Sequence, residues 1–380
     1  IIPKVNEIEL NHEKDKDLLN IFTAKDLNQA IDIITGKNLD KFAIVKYPIE
    51  LETFDSQPLY QLIGQPLAKR ALIIAMAGWH PLLLIGSPGS GKTTIAEYSI
   101  NLLPALPQRH LNELRELYSL NGLWNENINS GKIRPYQAPH YTTTKMALIG
   151  GGSDLSPGII TMAHQGILFL DELSEFKAEI LQLLRKPLTD QKIELARRNL
   201  KQVYPANFLL IAATNPCPCG YYLERDRRCK CKQSDIQRYK KRISGPLMDR
   251  FQLSVIMNDL PKQELIKTAQ KDVIDKKDIK NLQRIIERAQ TRQMTRCQKH
   301  KIVGQYNAII ETAKMAEYFS IPKECLEKFN VSINNFHFSP RSYLSLLRVS
   351  RTIADLEDSE NVKLDHLQEA LMLRVTQDKY

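Results

Sequence analysis

Gly86-Ser87-Pro88-Gly89-Ser90-Gly91-Lys92-Thr93 fits the pattern G-x-x-x-x-G-K-[S/T]. It stands between an apolar run, Leu82 to Ile85, and a helical pattern from Thr94 to Leu103, the strand–loop–helix setting this motif needs. The glycines let the loop turn backbone N–H groups inward onto phosphate oxygens, and the start of the next helix adds partial positive charge there. Lys92 would reach the β- and γ-phosphates of ATP, and the Thr93 hydroxyl would ligate Mg²⁺. Gly86, Ser87, Pro88, Gly89, Ser90, Gly91, Lys92, Thr93 and Thr94 are therefore the expected triphosphate-binding residues.

Working outward, three more short apolar runs read as buried strands: Ile167 to Leu170, Leu209 to Ala213 and Leu253 to Ile256. The first ends in Asp171-Glu172, an acidic strand end that suits a Walker B element. Asp171 would hold the Mg²⁺ shell and Glu172 would orient the attacking water. The second ends in Thr214-Asn215-Pro216, where Asn215 could hydrogen-bond the γ-phosphate or that water; the plainer reading is an Asn opening a turn before Pro. Continuous apolar strands alternating with helical patterns, such as Ala178 to Leu188, imply a parallel sheet covered on both faces. Past residue 260 the strands stop, and 262–318 and 340–375 read as amphipathic helices. Ser339-Pro340 marks a helix start, with Ser as N-cap and Pro in the first turn. The expected layout is a segment 1–54, an α/β core 55–260 and an all-α domain 261–380.

The chain has 380 residues, 43% hydrophobic and 25% charged, the balance of a soluble globular protein. Its longest apolar stretch, Ala71 to Trp79, falls short of the ~20 residues that span a bilayer. That excludes an integral helical membrane protein. Without an export signal the six cysteines suggest a reducing cytoplasm. A net charge of +10 fits either solubility or a polyanionic partner. The opening Ile1-Ile2-Pro3, with no Met, suggests a start inside a longer protein.

Several further runs carry a family resemblance. They are Ile63-Gly64-Gln65-Pro66, Arg134-Pro135-Tyr136-Gln137-Ala138-Pro139-His140, Ala147-Leu148-Ile149-Gly150-Gly151-Gly152, Asn215-Pro216-Cys217-Pro218-Cys219-Gly220-Tyr221, Gly245-Pro246-Leu247-Met248-Asp249-Arg250-Phe251 and Arg351-Thr352-Ile353-Ala354-Asp355-Leu356. With the P-loop, the chain resembles an AAA+ P-loop ATPase, and more narrowly the magnesium-chelatase-like branch that includes the ComM/YifB-type bacterial competence proteins. The resemblance implies an α/β AAA+ core with a helical lid, assembled as a homo-hexameric ring. It implies Arg250 as an arginine finger offered to a neighbouring copy, with Arg242 a weaker substitute, and Arg341 as a sensor touching the nucleotide of its own chain. Gly64 and Gln65 would lie near the adenine. Residues 1–54 would be the end of a Lon-like domain plus a linker. Two insertions, Thr142 to Gly158 and Lys192 to Tyr204, resemble hairpins that line the pore of related rings. Arg197 and Arg198 at the second tip would grip DNA phosphates without reading sequence. Ile159 departs from the acid often found after Pro157-Gly158 in the family, so the first hairpin's contacts do not carry over in detail. The implied activity is an ATP-driven helicase on single-stranded or branched DNA, promoting branch migration in natural transformation. The rival readings are a magnesium-chelatase motor subunit and an ATP-dependent protein remodeller that never touches DNA.

Cys217, Cys219, Cys229 and Cys231 form C-x-C-x₉-C-x-C. Four thiolates this close can ligate Zn²⁺ tetrahedrally; an iron–sulfur cluster and metal-free thiols are the alternatives. The surrounding loop, 217–242, is strongly basic and carries Tyr221, Tyr222 and Tyr239, which could stack on bases if the loop does not instead dock on an acidic subunit. His140 and His164 read as structural, and Trp79 and Trp124 as packing residues.

Overall fold

The computed structural model describes residues 2–3, 22–35, 64–122, 131, 134–197, 200–224, 229–243, 245–258, 276–302, 304–311, 315–333 and 338–374. Trp124 and Arg198 lie outside them. The chain divides into two compact units. The smaller takes Ile1–Ser56 and Pro107–Lys132. In it Ile2–Pro3 pairs in parallel with Thr23–Ala24, and helix Leu27–Ile34 begins at Asp26, whose carboxylate accepts the Gln29 N–H at 2.8 Å. A second helix runs Gln108–Leu120.

The larger unit takes Gln57–Leu106 and Ile133–Tyr380. It is built on a five-stranded parallel sheet. The P-loop strand Leu82–Gly86 lies between Leu253–Met257 and Leu209–Thr214. Outside the latter come Ile167–Leu170 and the two-residue edge strand Tyr136–Gln137. All four apolar runs expected as strands are present, and nearly every residue in them is buried. Alternate side chains divide between two apolar layers. Leu82, Leu84, Phe169, Ile211 and Val255 face one, which also takes helix Pro66–Gly78 and most of the C-terminal helices. Leu83, Ile85, Leu168, Leu170 and Ala212 face the other, with Leu148, Ile160, Leu181 and Leu247.

The C-terminal helices belong to the same unit as the sheet. In helix Lys276–Lys299, the side-chain amides of Gln290 and Gln293 donate to Met76 O and Ala77 O, each at 2.9 Å. They satisfy carbonyls that the end of helix Pro66–Gly78 would otherwise leave open. Helix Pro340–Leu356 begins as expected, with Ser339 Oγ accepting the Ser342 N–H at 3.2 Å. Behind it Arg351 and Asp355, both fully buried, form an ion pair at 3.0 Å, and Arg296 pairs with the same carboxylate. Among the described residues no helix is long and apolar enough to cross a membrane.

Both insertions are hairpins. In the first, helix Lys145–Ile149 leads into Gly150–Gly151, paired antiparallel with Ser156–Pro157. Gly150, Gly151 and Gly152 all have positive φ, and a Cβ on Gly150 would sit 2.3 Å from Ser156 O, so the bend needs glycine. The second pairs Lys192–Arg197 with Leu200–Pro205, with Ile193 and Leu195 buried and Arg197 and Leu200, at the two strand ends, exposed. The Tyr204 hydroxyl donates to Leu155 O at 3.0 Å, which ties the two hairpins together.

Candidate nucleotide site and arginine cleft

Because the strands are parallel, each releases its following loop at the same edge of the sheet. The P-loop leaves Leu82–Gly86 there, Asp171-Glu172 leaves Ile167–Leu170, and Asn215 leaves Leu209–Thr214, which pairs with both of the others. Gly89 and Gly91 have φ of 84° and 89°, left-handed backbone that favours glycine. Gly86 has no room for a side chain, since a Cβ would lie 2.4 Å from Met257 O. Lys92 is buried and its ammonium donates to Gly86 O at 2.9 Å and Ser87 O at 2.7 Å. The Thr93 hydroxyl donates to Asp171 Oδ2 at 2.8 Å, so the two expected Mg²⁺ ligands already meet. The other Asp171 oxygen accepts the Glu172 N–H at 2.8 Å, leaving the Glu172 side chain exposed beside it. The Ser90 hydroxyl is buried without a hydrogen-bond partner among the described residues. A loop lined by backbone N–H groups, a lysine held on carbonyls it can exchange for phosphate, and a Thr–Asp pair fit a Mg²⁺-bound nucleoside triphosphate.

Gly64 and Gln65 are brought to the same edge. Both have positive φ, and the Gln65 amide donates to Asn258 O at 2.6 Å and Ser90 O at 3.5 Å. The segment so joins the P-loop to the end of the last sheet strand. Tyr136 was not among the expected site residues. Burial, then the carboxylates of Glu97 and Asp171, pushes its phenol pKa up, and its hydroxyl is buried with no partner among the described residues. A lone tyrosine on a two-residue strand gives no signal of this in sequence.

Arg250 and Arg341 lie at the opposite, amino-terminal edge. They line a cleft of about 300 Å³ with Arg348, Asp249, Gln252 and Leu344. Pro81, Phe208 and Gln252, each just ahead of a strand, mark that edge. At ~3.3 Å per residue, strand Leu82–Gly86 alone separates cleft and P-loop by roughly 13 Å. Arg341 therefore does not touch the nucleotide site of its own chain, contrary to the expectation for it. The cause is a clamp from Arg374, which donates to Phe251 O at 3.0 Å and to Ser342 Oγ at 3.0 Å and so pins the start of helix Pro340–Leu356 to the amino edge. Arg341 is exposed and Arg250 half-buried. Arg250 donates to Arg185 O at 3.1 Å and Pro246 O at 2.7 Å. Burial, then Arg341 and Arg185, lowers its pKa. Arg348, under burial and then Arg341, falls to about 10. Such a group of cations suits an incoming anion.

Arg197 is exposed at the second hairpin's tip; Arg198 lies outside the described residues. Arg242, the weaker candidate, pairs with Glu175 at 3.2 Å. Tyr239 is buried, its hydroxyl bonded to Ser174 and Thr214, and is not available to stack on a base, whereas Tyr222 is exposed beneath the Lys240 ammonium. Trp79 packs, stacked on Tyr306 at 4.8 Å. Buried His164 accepts the Asn207 N–H at 3.1 Å. His140 is exposed and bonds Thr142 at 2.9 Å.

The four cysteine sulfurs converge within 4.8 Å of one another. Cys217 lies 3.3 Å from Cys219 and 3.6 Å from Cys229, and Cys219 lies 3.5 Å from Cys229. Burial raises the thiol pKa values of Cys229 and Cys231. At Cys219 burial acts the same way, but backbone N–H groups of Tyr221 and Lys230 outweigh it and bring the thiol down to about 6.

A phosphate-cradling loop and an acidic strand end at the carboxyl edge of a parallel sheet, under a covering of C-terminal helices, define a P-loop protein of the AAA+ type. The family described as magnesium chelatase, subunit ChlI, matches residues 58–265, and its C-terminal part matches 276–374. The competence protein ComM of Haemophilus influenzae is 35% identical over 98% of this chain and 71% of its own length. YifB of Escherichia coli is 37% identical over 83% of this chain and 60% of its own length. Similarity to magnesium-chelatase subunit ChlI of Bigelowiella natans is weaker, 24% over 42% of the chain and 50% of that protein. The chain belongs to the magnesium-chelatase-like AAA+ family, in its ComM/YifB branch.

Proposed function

We propose that this chain is the ATP-hydrolysing subunit of a ring motor acting on DNA, a ComM-like helicase that promotes branch migration during natural transformation. The observation that carries the reading is the separation of two half-sites across one sheet. Lys92, Asp171 and Glu172 stand at one edge, and Arg250 with Arg341 stands at the other. A complete site then needs the arginines of one copy against the P-loop of the next, a head-to-tail contact that closes into a ring, here a homo-hexamer.

In that site Lys92 exchanges its loop carbonyls for phosphate oxygens. Thr93 and Asp171 would hold Mg²⁺, which would supply positive charge to offset that of the phosphates. Glu172 orients water, Asn215 donates a hydrogen bond toward the γ-phosphate, and Arg250 and Arg341 from the next copy meet the charge that develops there. DNA as partner is supported by the net charge of +10, by exposed Arg197 on its hairpin, and by exposed Lys230, Lys232, Arg238 and Lys241 around the cysteine loop. The place of action is the cytoplasm, and a zinc ion on the four thiols completes the cofactor set. The test is ATP turnover measured with and without single-stranded and branched DNA. Stimulation by either supports the motor; turnover unmoved by both would refute the DNA role and leave a protein remodeller.

A further inference from the structure

We infer that Cys217, Cys219, Cys229 and Cys231 bind one zinc ion, and that the loop it closes is a brace for the nucleotide site. The inference rests on Gly86–Thr93 being that site. A tetrahedron of thiolates with Zn–S near 2.3 Å has sulfurs about 3.8 Å apart, close to the 3.3–3.6 Å found among Cys217, Cys219 and Cys229. Backbone supports the sulfurs as well, with the Cys231 N–H donating to Cys229 Sγ at 3.4 Å. Among the described residues from Cys217 to Cys231, only partly buried Leu223 packs against an apolar layer. A loop so poor in apolar contacts gains its order from a metal.

Three contacts carry that order to the nucleotide site. Cys217 follows Asn215-Pro216 directly, so the first metal ligand fixes the exit of the strand that presents Asn215. Gly220, held in a turn by its N–H to Cys217 O at 2.9 Å, lies flat on the P-loop: a Cβ there would meet Pro88 Cδ at 2.5 Å. After Cys231, helix Gln233–Arg242 returns to the Walker B side. There Arg242 pairs with Glu175 at 3.2 Å, and Tyr239 reaches Ser174 and Thr214. The cluster therefore links the P-loop, the Asn215 strand and the segment after Glu172. Without metal, four thiols replace a rigid centre and the backbone of Gly220 is no longer held against Pro88.

The test uses the full chain purified without chelator. Metal content is read by mass spectrometry, and binding of a fluorescent ATP analogue is titrated, for the parent, Cys229→Ser with Cys231→Ser, Cys229→His and Gly220→Ala. We expect about one zinc per parent chain and none in the double serine variant, with a dissociation constant for nucleotide raised about ten-fold. Cys229→His, which keeps a zinc ligand, retains metal and affinity. Gly220→Ala retains zinc and loses affinity through its clash with Pro88. A folded parent without metal, or with iron and sulfide, overturns the zinc site. A folded, zinc-free serine variant that binds nucleotide like the parent overturns the brace. Should that variant unfold, Gly220→Ala decides, and unchanged affinity there overturns the brace. A parent that binds zinc but no nucleotide refutes the P-loop reading instead, and the metal assignment stands.

Discussion

Mixing two inactive variants separates a shared site from a self-contained one. Lys92→Ala removes the P-loop ammonium at the carboxyl edge of the sheet, and Arg250→Ala removes a cation from the cleft at the amino edge. Each alone should turn over ATP at background. Loss of an arginine finger costs ~10³-fold or more, and the P-loop lysine is no less needed. In a random equal mixture, a junction is intact when an Arg250→Ala copy supplies the P-loop and a Lys92→Ala copy supplies the arginine. That holds for about one junction in four in a closed head-to-tail assembly. Turnover should therefore return to about a quarter of the unmutated rate if sites act independently. The assay is steady-state phosphate release on co-purified mixed assemblies, with each variant carrying a different tag. Background turnover in an assembly shown to contain both variants would refute the shared site. Full activity in Arg250→Ala alone would refute it equally.

Other outcomes follow from particular contacts. Asp355→Ala strips the carboxylate from buried Arg351 and partly buried Arg296 and should lower stability by ~3–5 kcal/mol, read as a shift in urea midpoint. Gly78→Ala would place a methyl 2.1 Å from His80 Nε2 and 2.4 Å from Thr352 Oγ1, so a loss of about 1–3 kcal/mol is expected in the same assay. Burial pushes the His80 imidazole down to about 3 from an ordinary 6.5, so the unfolded chain takes up the proton first. His80 then contributes fully above pH 6.5, and its contribution falls by ~1.4 kcal/mol per pH unit below that, down to about pH 3. Urea midpoints should stay level above pH 6.5 and show this slope below it, and His80→Gln should reduce it. Arg197→Ala with Arg198→Ala should weaken DNA-stimulated turnover and spare basal hydrolysis; unchanged stimulation would remove the hairpin tip from DNA contact.

Much of the nucleotide edge was legible because its strands are unbroken apolar runs, buried on both faces, each ending in a polar residue that can only sit at the rim. Tyr136–Gln137 was not, since a two-residue edge strand after Pro carries no periodicity. The helical pattern Ala178 to Leu188 splits into Ala178–Leu183 and Pro187–Asp190, because Pro187 has no N–H to continue the ladder. The direction in which Arg341 faces was beyond reach, since it depends on Arg374 binding Phe251 O from across the fold. Tyr239 was misread for a similar reason: in a basic run it looks exposed, but it is the face of helix Gln233–Arg242 turned to the core.

His80 sits where sheet and C-terminal helices meet, with one ring nitrogen on Gln252 at 2.5 Å and the other on Thr352 at 2.6 Å. Asn307 continues the line, bonding Thr352 and Asp355 at 2.9 Å each, and Gln252 is two residues from Arg250. Because hydrogen bonds tie helix to sheet along this line, a tilt of helix Pro340–Leu356 would act on the backbone that carries Arg250. Whatever angle the helices adopt would thus be reported, without a separate messenger, to the residue that the proposed ring sets against the next subunit.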